Sequence, residues 1–459
     1  MTRYAVRHWC RTDGMESEGL PMANADSGRA NSRRMADVGA DSVSRDGNVH
    51  AARTSRTPHA VRNVRVEALR LAAIVGISLF HTMMPWTAQA LCDPAAGCSQ
   101  IGDMLGSDPT VLAVLGIIAL MGAWGNHVFF MISGFYLIPS LARRSTQAGY
   151  WLDALRGTVR RVLVIAVSVV LVAVVALAFD AWVMPLVNVH LVWQWTLGIE
   201  FVWLYAAFVA VAPVLACLLR RVPARIRVAV ACVLVVALVM VNGYVAFVSP
   251  GDAATRGLTD WRKWMSAITY AVSFAIAGVA GMSGAPRPAD LPRWRRRWMK
   301  ALVAVAAVVL TVEAVAAIRR DVTLIAQLSY KSTSAASMAL AFLLVMVCAS
   351  GSGGGSVDLA RASREAGASG SVAARAVAWL ASGILGFYIV QSVFGTVAMD
   401  IVIQGLLADV TRWAASGGGA AGLWLLAEGT AVSVGYVAVV AVLDGLIRRP
   451  VLRMLRLGR

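Results

Sequence analysis

The sequence predicts an all-α, polytopic integral membrane protein with about ten transmembrane helices and both termini cytoplasmic. Three observations carry that prediction. Hydrophobic residues make up 58% of the 459 and charged residues only 15%, with a mean hydropathy of +0.68, a composition suited to lipid rather than water. Apolar runs of roughly 17 to 25 residues recur from Val66 onward, the length a helix needs to cross the hydrocarbon core. The formal net charge of +17 is spread through short connections between those runs, which sets topology and offers no patch for nucleic acid.

Residues 1–60 are rich in Arg, Asp, Ser, Gly and Asn without apolar periodicity. They cannot bury enough surface to offset chain entropy, so a disordered cytoplasmic N-terminal extension is expected there. No short apolar core with a small-residue cleavage site follows a basic start, so a cleaved signal peptide is not expected. The membrane domain is expected over 61–450, followed by a basic tail over 451–459. Its spans fall roughly at 66–90, 110–139, 159–182, 195–219, 228–248, 264–283, 300–318, 333–350, 375–397 and 419–447.

Lys and Arg in alternate connections fix the orientation. Arg62 and Arg65, then Arg143, Arg144, Arg156, Arg160 and Arg161, then Arg220, Arg221, Arg225 and Arg227 lie on one side. The run from Arg287 to Lys300, Arg361 to Arg375, and the tail from Arg448 to Arg459 continue that pattern. The opposite connections are poorer in basic residues, with Arg256, Arg262, Lys263, Arg319, Arg320, Lys331 and Arg412 as exceptions. GSGGGS at Gly351–Ser356, continued by Ser and Ala to Ser371, reads as a flexible cytoplasmic connector before the last two helices. Trp86, Trp182, Trp193, Trp195, Trp261 and Trp264 fall near outer helix ends, as an interfacial belt would place them.

The six cysteines show no CxxC pair and no metal spacing with His, so no metal site is expected. Cys217, Cys232 and Cys348 read as buried small hydrophobes. Cys92 and Cys98 bracket a short loop on the outer side, where the pair can persist as a disulfide or remain as thiols.

Ionisable groups inside apolar segments mark function because each costs about 2.5 to 3.5 kcal/mol at mid-membrane. The first span, VEALRLAAIVGISLFHTMMPW, holds Glu67, Arg70 and His81. Arg70 and His81 are eleven positions apart, about three helical turns and roughly 16 Å, so both project from one face. An Arg near the cytoplasmic entrance can hold phosphate, and a neutral imidazole deeper in can remove a proton from a hydroxyl. The pair suits a long substrate with an anionic head and a reactive far end, and the pantetheine arm of an acyl-CoA has about that length. In the second span, NHVFFMISGFYL, His127 is a further titratable group expected near the height of His81, and Ser133 with Gly134 form a small patch for close helix approach. Glu200, expected to be buried beside Trp203, and Glu313, near an outer helix end, could orient groups or line an acceptor path.

Glu67-x-x-Arg70, the ten residues between Arg70 and His81, and FFMISGF at Phe129–Phe135 together resemble membrane acyltransferase family 3. These are bacterial inner-membrane enzymes that O-acylate envelope polysaccharides and some small acceptors. WLYAAFVAVAP at Trp203–Pro213 and GFYIVQ at Gly386–Gln391 add to the resemblance, which covers about residues 62–450. It implies an acyl-CoA co-substrate, acetyl-CoA in the first instance, on the cytoplasmic side, and an envelope glycan or other hydroxyl acceptor reached from outside. No tightly bound cofactor is implied. Arg70 corresponds to a donor-binding residue, supported by Arg160 and Arg161, and His81 to the catalytic base. Two departures stand out: Gln391 occupies a position where the family often has His, and His127 one where many members have another residue. The competing reading is a transporter or flippase of an envelope precursor or organic anion, which predicts internal repeats that the sequence does not display.

Overall fold

The computed structural model of the chain describes residues 63–92, 97–183, 196, 200–248, 261–283, 290–329, 331–349, 372–381, 383–415 and 420–457. The expected N-terminal extension, the 351–371 connector, Trp193 and Trp195 lie outside the described residues, as does the side chain of Trp261. Among the described residues there is no strand. The helices are α1 (Val64–Ala90), α2 (Gln100–Ser107), α3 (Pro109–Arg144), α4 (Tyr150–Trp182), α5 (Glu200–Arg221), α6 (Ala224–Gly243, continued to Val248 by a π-helical turn) and α7 (Trp261–Met282). Then follow α8 (Leu291–Ile318), α9 (Val322–Leu328), α10 (Ala335–Ala349), α11 (Val372–Ala381), α12 (Ile384–Ala415), α13 (Ala421–Leu443) and α14 (Arg449–Met454).

Among the described residues, eight helices are long and apolar enough to cross a membrane: α1, α3 to α8, and α13 continued through α14. The other two predicted spans, 333–350 and 375–397, fall on the 15-residue α10 and on α11 with α12. The protein is therefore a multi-pass, all-helical membrane protein. Its solvent shows on the outward faces: Val170, Val233, Val236, Met240, Val303 and Val308 are all more than 60% exposed or at it, on helices whose backbone groups are satisfied internally.

Local chemistry sets the helix ends. The Asn63 side chain accepts from the Arg65 amide at the start of α1 and donates to the Cys348 carbonyl at the end of α10, 3.0 Å each. Asp108 caps α3 by accepting from the amides of Thr110 and Val111, with Pro109 at the first helical position. The α3 helix closes on Arg143 and Arg144, which complement its dipole. At the same end, Arg220 donates to the Ala142 carbonyl and Arg160 to the carbonyls of Arg456 and Leu457. This is the basic end of the bundle. At the opposite end Cys92 and Cys98 are disulfide-bonded, Cα to Cα 5.8 Å, and Arg320 donates to the Gly106 carbonyl at 2.8 Å.

The centre is α1 packed antiparallel on α3, with α7 on the far side of α3. Gly134 admits the backbone carbonyl of Phe274, and Gly281 faces the Phe135 carbonyl in return. The small patch at Ser133–Gly134 thus serves packing through its glycine. Gly134→Val places a branched side chain against backbone that cannot swing aside. It is expected to lower the yield of folded protein several-fold and the thermal midpoint of what remains, as measured by fluorescence-detected size exclusion after a heat step.

Two expectations are corrected. Trp86 is 1% exposed and packs in the core with Met83 and Leu112, so it is no interfacial ring, whereas Trp182 and Trp264 stand out at 85% and 67% exposure. Cys232 is exposed on the outer face of α6 and not a buried hydrophobe, while Cys217 and Cys348 are half-buried. Spacing along one helix does not report which face meets lipid.

Candidate active site

The α1 helix carries both ends of the candidate site. Arg70 donates to Glu67 Oε1 at 2.9 Å, one turn away, in a pair whose side chains are 31% and 5% exposed. Glu67 therefore restrains Arg70. It sits fourteen positions, about 21 Å, from His81 and so has no part in orienting the imidazole. Its second oxygen has no partner among the described residues, which makes the Arg70 guanidinium its main compensation.

Around Arg70 the structure assembles groups from three other helices. The Tyr205 hydroxyl on α5 is hydrogen-bonded to Ser133 on α3, and both Arg70 and Arg161 act on it electrostatically. Ser133 itself donates to the Phe129 carbonyl at 2.9 Å. The Tyr205 ring is held edge-on against Phe129, 4.8 Å between centroids. Neighbours on a helix diverge by about 100°, so Arg160 and Arg161 cannot both face this spot. Arg161, itself exposed, acts on the Tyr205 hydroxyl electrostatically, and Arg160 turns to the tail and bonds the carbonyls of Arg456 and Leu457.

His81 is half-buried, with the Phe80 ring edge-on at 5.1 Å, and neither ring nitrogen is hydrogen-bonded to a described residue. The α1 segment around it is pinned by α13. Ser78 donates to the Ser433 carbonyl at 3.2 Å, Ser433 donates to Thr82 at 2.9 Å, and Gly429 makes room for Met83. All three hydroxyl-bearing residues are fully buried, so the strip that presents His81 is fixed while the imidazole itself stays available.

His127 departs from expectation. Gly125 packs on Ile77 and the Ala73 carbonyl, and Gly122 on Phe80. In that antiparallel register His127 lies opposite about Val75, roughly 9 Å short of His81 along α1, and not at its height. It is fully buried with both nitrogens engaged, Nδ1 with Ser273 at 2.9 Å and Nε2 with the Ser332 carbonyl at 3.2 Å. Beside it, Tyr388 donates to Asn126 Oδ1 and Asn126 donates to the Tyr270 hydroxyl, both at 3.2 Å. This polar layer ties α3, α7 and α12 together. A stacked Phe201–Tyr388 pair, 4.2 Å apart, covers it.

Gln391 follows Tyr388 by three positions, about 4.5 Å farther from the basic end, and approaches the height of His81. It is 8% exposed, and its Nε2 donates to no described residue. Glu313 is fully buried on α8 toward the disulfide end, where Ser329 donates to one oxygen and the other presses on Gly116 without a hydrogen-bond partner among the described residues. It belongs to the junction of α3, α8 and α9 and not to the Arg70–His81 strip. Glu200 is exposed at the start of α5, contrary to its expected burial beside Trp203, because Trp203 instead donates back to the Thr196 carbonyl at 2.9 Å. Among the described residues no three of His, Cys, Asp and Glu converge as metal ligands would.

The acyltransferase domain of the acyltransferase 3 family matches residues 63–443, most of the chain and nearly all of its helices. The chain belongs to the acyltransferase 3 family. No curated protein and no solved structure matches it. The membership makes the protein a membrane acyltransferase.

Tyr205 was without a role in the sequence, although it stands inside WLYAAFVAVAP. Its place emerges only where α1, α3, α4 and α5 meet. Tyr205→Phe removes one hydroxyl from the Arg70–Arg161 cluster and keeps the ring packing. It is expected to raise KM for the acyl donor several-fold with kcat nearly unchanged, checked by initial rates against donor concentration.

Proposed function

We propose that the protein is an O-acyltransferase that moves an acyl group, acetyl in the first instance, from cytoplasmic acyl-CoA to a hydroxyl of a cell-envelope carbohydrate or related acceptor. One observation carries the reading: Arg70 and Arg161 both act electrostatically on Tyr205 at the basic end, while His81, whose ring nitrogens bond no described residue, stands about 16 Å along the same helix. The basic end is read as cytoplasmic, with both termini there and the chain in the inner membrane, because Arg is concentrated at that end.

In this reading the guanidiniums hold phosphate of the donor by charge-assisted bonds, and the pantetheine arm runs along α1. His81 takes the proton of the acceptor hydroxyl as its oxygen attacks the thioester carbonyl. Collapse of the tetrahedral intermediate breaks the C–S bond, and the protonated imidazole returns the proton to the departing CoA thiolate. An ester and free CoA result. Gln391, a buried amide donor near that height, is suited to the developing oxyanion. The FFMISGF motif contributes Phe129 and Ser133 as the floor of the Arg70 cluster and Gly134 as its packing seat.

The test supplies radiolabelled acetyl-CoA or succinyl-CoA, with envelope glycan fractions, to membranes containing the protein. Alkali-labile label on the glycan above empty-vector membranes supports the reading. No excess label with any donor and acceptor overturns it and makes precursor transport the reading to pursue.

A further inference from the structure

The first half of α8 has features that acyl transfer does not use. Pro292, Arg295, Arg296, Met299, Lys300, Val303, Ala304 and Ala307 form one side of a wide, shallow groove of about 610 Å³. They recur at three and four positions, so they form one continuous stripe about 22 Å long. The stripe changes character along its length. Arg295, Arg296 and Lys300 occupy the end at the basic face, where Arg295 and Arg65 both act electrostatically on Cys348. Met299, Val303, Ala304 and Ala307 continue it into the membrane span, with Val303 60% exposed. None of the three cations is ion-paired to a described acidic residue, in contrast to Arg70, Arg448 and Arg449, which are held by Glu67 and Asp444. Trp294 and Trp298 pack together toward α10, where Trp298 meets Phe342, and so fix the rotation that turns the groove outward.

We propose that this groove is a binding site for an anionic phospholipid, its phosphate held by Arg295, Arg296 and Lys300 and one acyl chain lying along Met299, Val303, Ala304 and Ala307. Charge complementarity selects an anion, and the apolar continuation on an outward, lipid-facing surface selects a molecule with a hydrocarbon tail in the bilayer. An acyl-CoA shares the phosphate chemistry, but its acyl end is needed at His81 inside the bundle, whereas this stripe faces away from it. Three surface cations near a membrane phosphate favour the anionic lipid by on the order of tenfold to a hundredfold over a zwitterionic one.

The experiment is native mass spectrometry of the purified full-length protein released from nanodiscs of mixed phosphatidylglycerol and phosphatidylcholine with identical chains. Wild type is compared with R295Q/R296Q/K300Q, with thermal unfolding confirming that both are folded. The expected result is retained phosphatidylglycerol at least about tenfold over phosphatidylcholine in wild type and loss of that preference in the triple variant. Glycerol 3-phosphate and acetyl-CoA are expected not to displace the lipid. Equal retention of the two lipids by wild type overturns the site, as does a preference that survives the triple substitution. Displacement by glycerol 3-phosphate alone shows a phosphate site without a chain groove, and displacement by acetyl-CoA shows a donor site; either outcome also overturns the proposal.

Discussion

His81→Ala is expected to lower the rate of acyl transfer by about 100-fold to 10,000-fold, the range contributed by a positioned general base. The donor should bind the variant nearly as well as wild type, because the Arg70 cluster lies about three turns away. Stability should change little. His81 is half-buried and bonded to no described residue, and the strip that carries it is held by Ser78, Thr82 and Ser433. The check is kcat and KM for acetyl-CoA at matched amounts of folded protein. Lost turnover with unchanged KM is the predicted outcome, and His81→Gln should behave the same way, because it keeps polarity but loses basicity.

The second large effect belongs to Arg70. Removing one charge-assisted contact to a phosphate costs about 1.5 to 3 kcal/mol, so KM for the donor should rise roughly 10-fold to 100-fold. Arg70→Ala alone confounds that measurement. It leaves the Glu67 carboxylate, 5% exposed, without its cation, and an orphaned buried charge costs about 3 to 5 kcal/mol in folding. Replacing both partners by apolar side chains of similar volume avoids the orphan. Glu67→Leu with Arg70→Met is therefore expected to fold nearly as well as wild type and still bind the donor poorly. Thermal unfolding separates the two contributions, with the single variant less stable than the double.

Length and apolarity of the runs made most of the spans legible, because a bilayer imposes both on any crossing helix. The region around α11 and α12 was less legible. A single span over 375–397 was expected, yet the chain forms α11 to Ala381, breaks, and runs on from Ile384 to Ala415. Groups distant in sequence gather at the two sides of the break. Asp444, paired with Arg448 and Arg449, presses on Gly383 and Gly386, and the Arg449 guanidinium lies 4.8 Å from the centroid of the Trp379 ring while donating to its carbonyl. Local hydropathy carries no trace of such a cluster. The short helices α2 and α9 escaped notice for another reason: at eight and seven residues they cannot cross a membrane, and their Ser99 and Asp321 caps are modest signals.

The site divides in the same way. Arg70 and His81 could be read from one helix because their spacing is a property of that helix. The height of His127 depends on how α3 registers against α1, which Gly122 and Gly125 decide, and so it was misjudged. The electrostatic effect of Arg161 on Tyr205, which is itself bonded to Ser133, involves three further helices. The divergence of Arg160 from Arg161 follows from helical geometry, but which of the two reaches the tail needed the packing of α4.

The central claim is a division of labour along α1, with donor held at Arg70 and proton transfer at His81. Initial rates of ester formation from labelled acetyl-CoA, measured over a range of donor concentration for wild type, His81→Ala and the Glu67→Leu/Arg70→Met pair, test it most directly. The account predicts a collapse of kcat at unchanged KM for the first variant and a raised KM with kcat largely kept for the second. Wild-type turnover in the His81 variant, or equal donor affinity with and without Arg70, would contradict it.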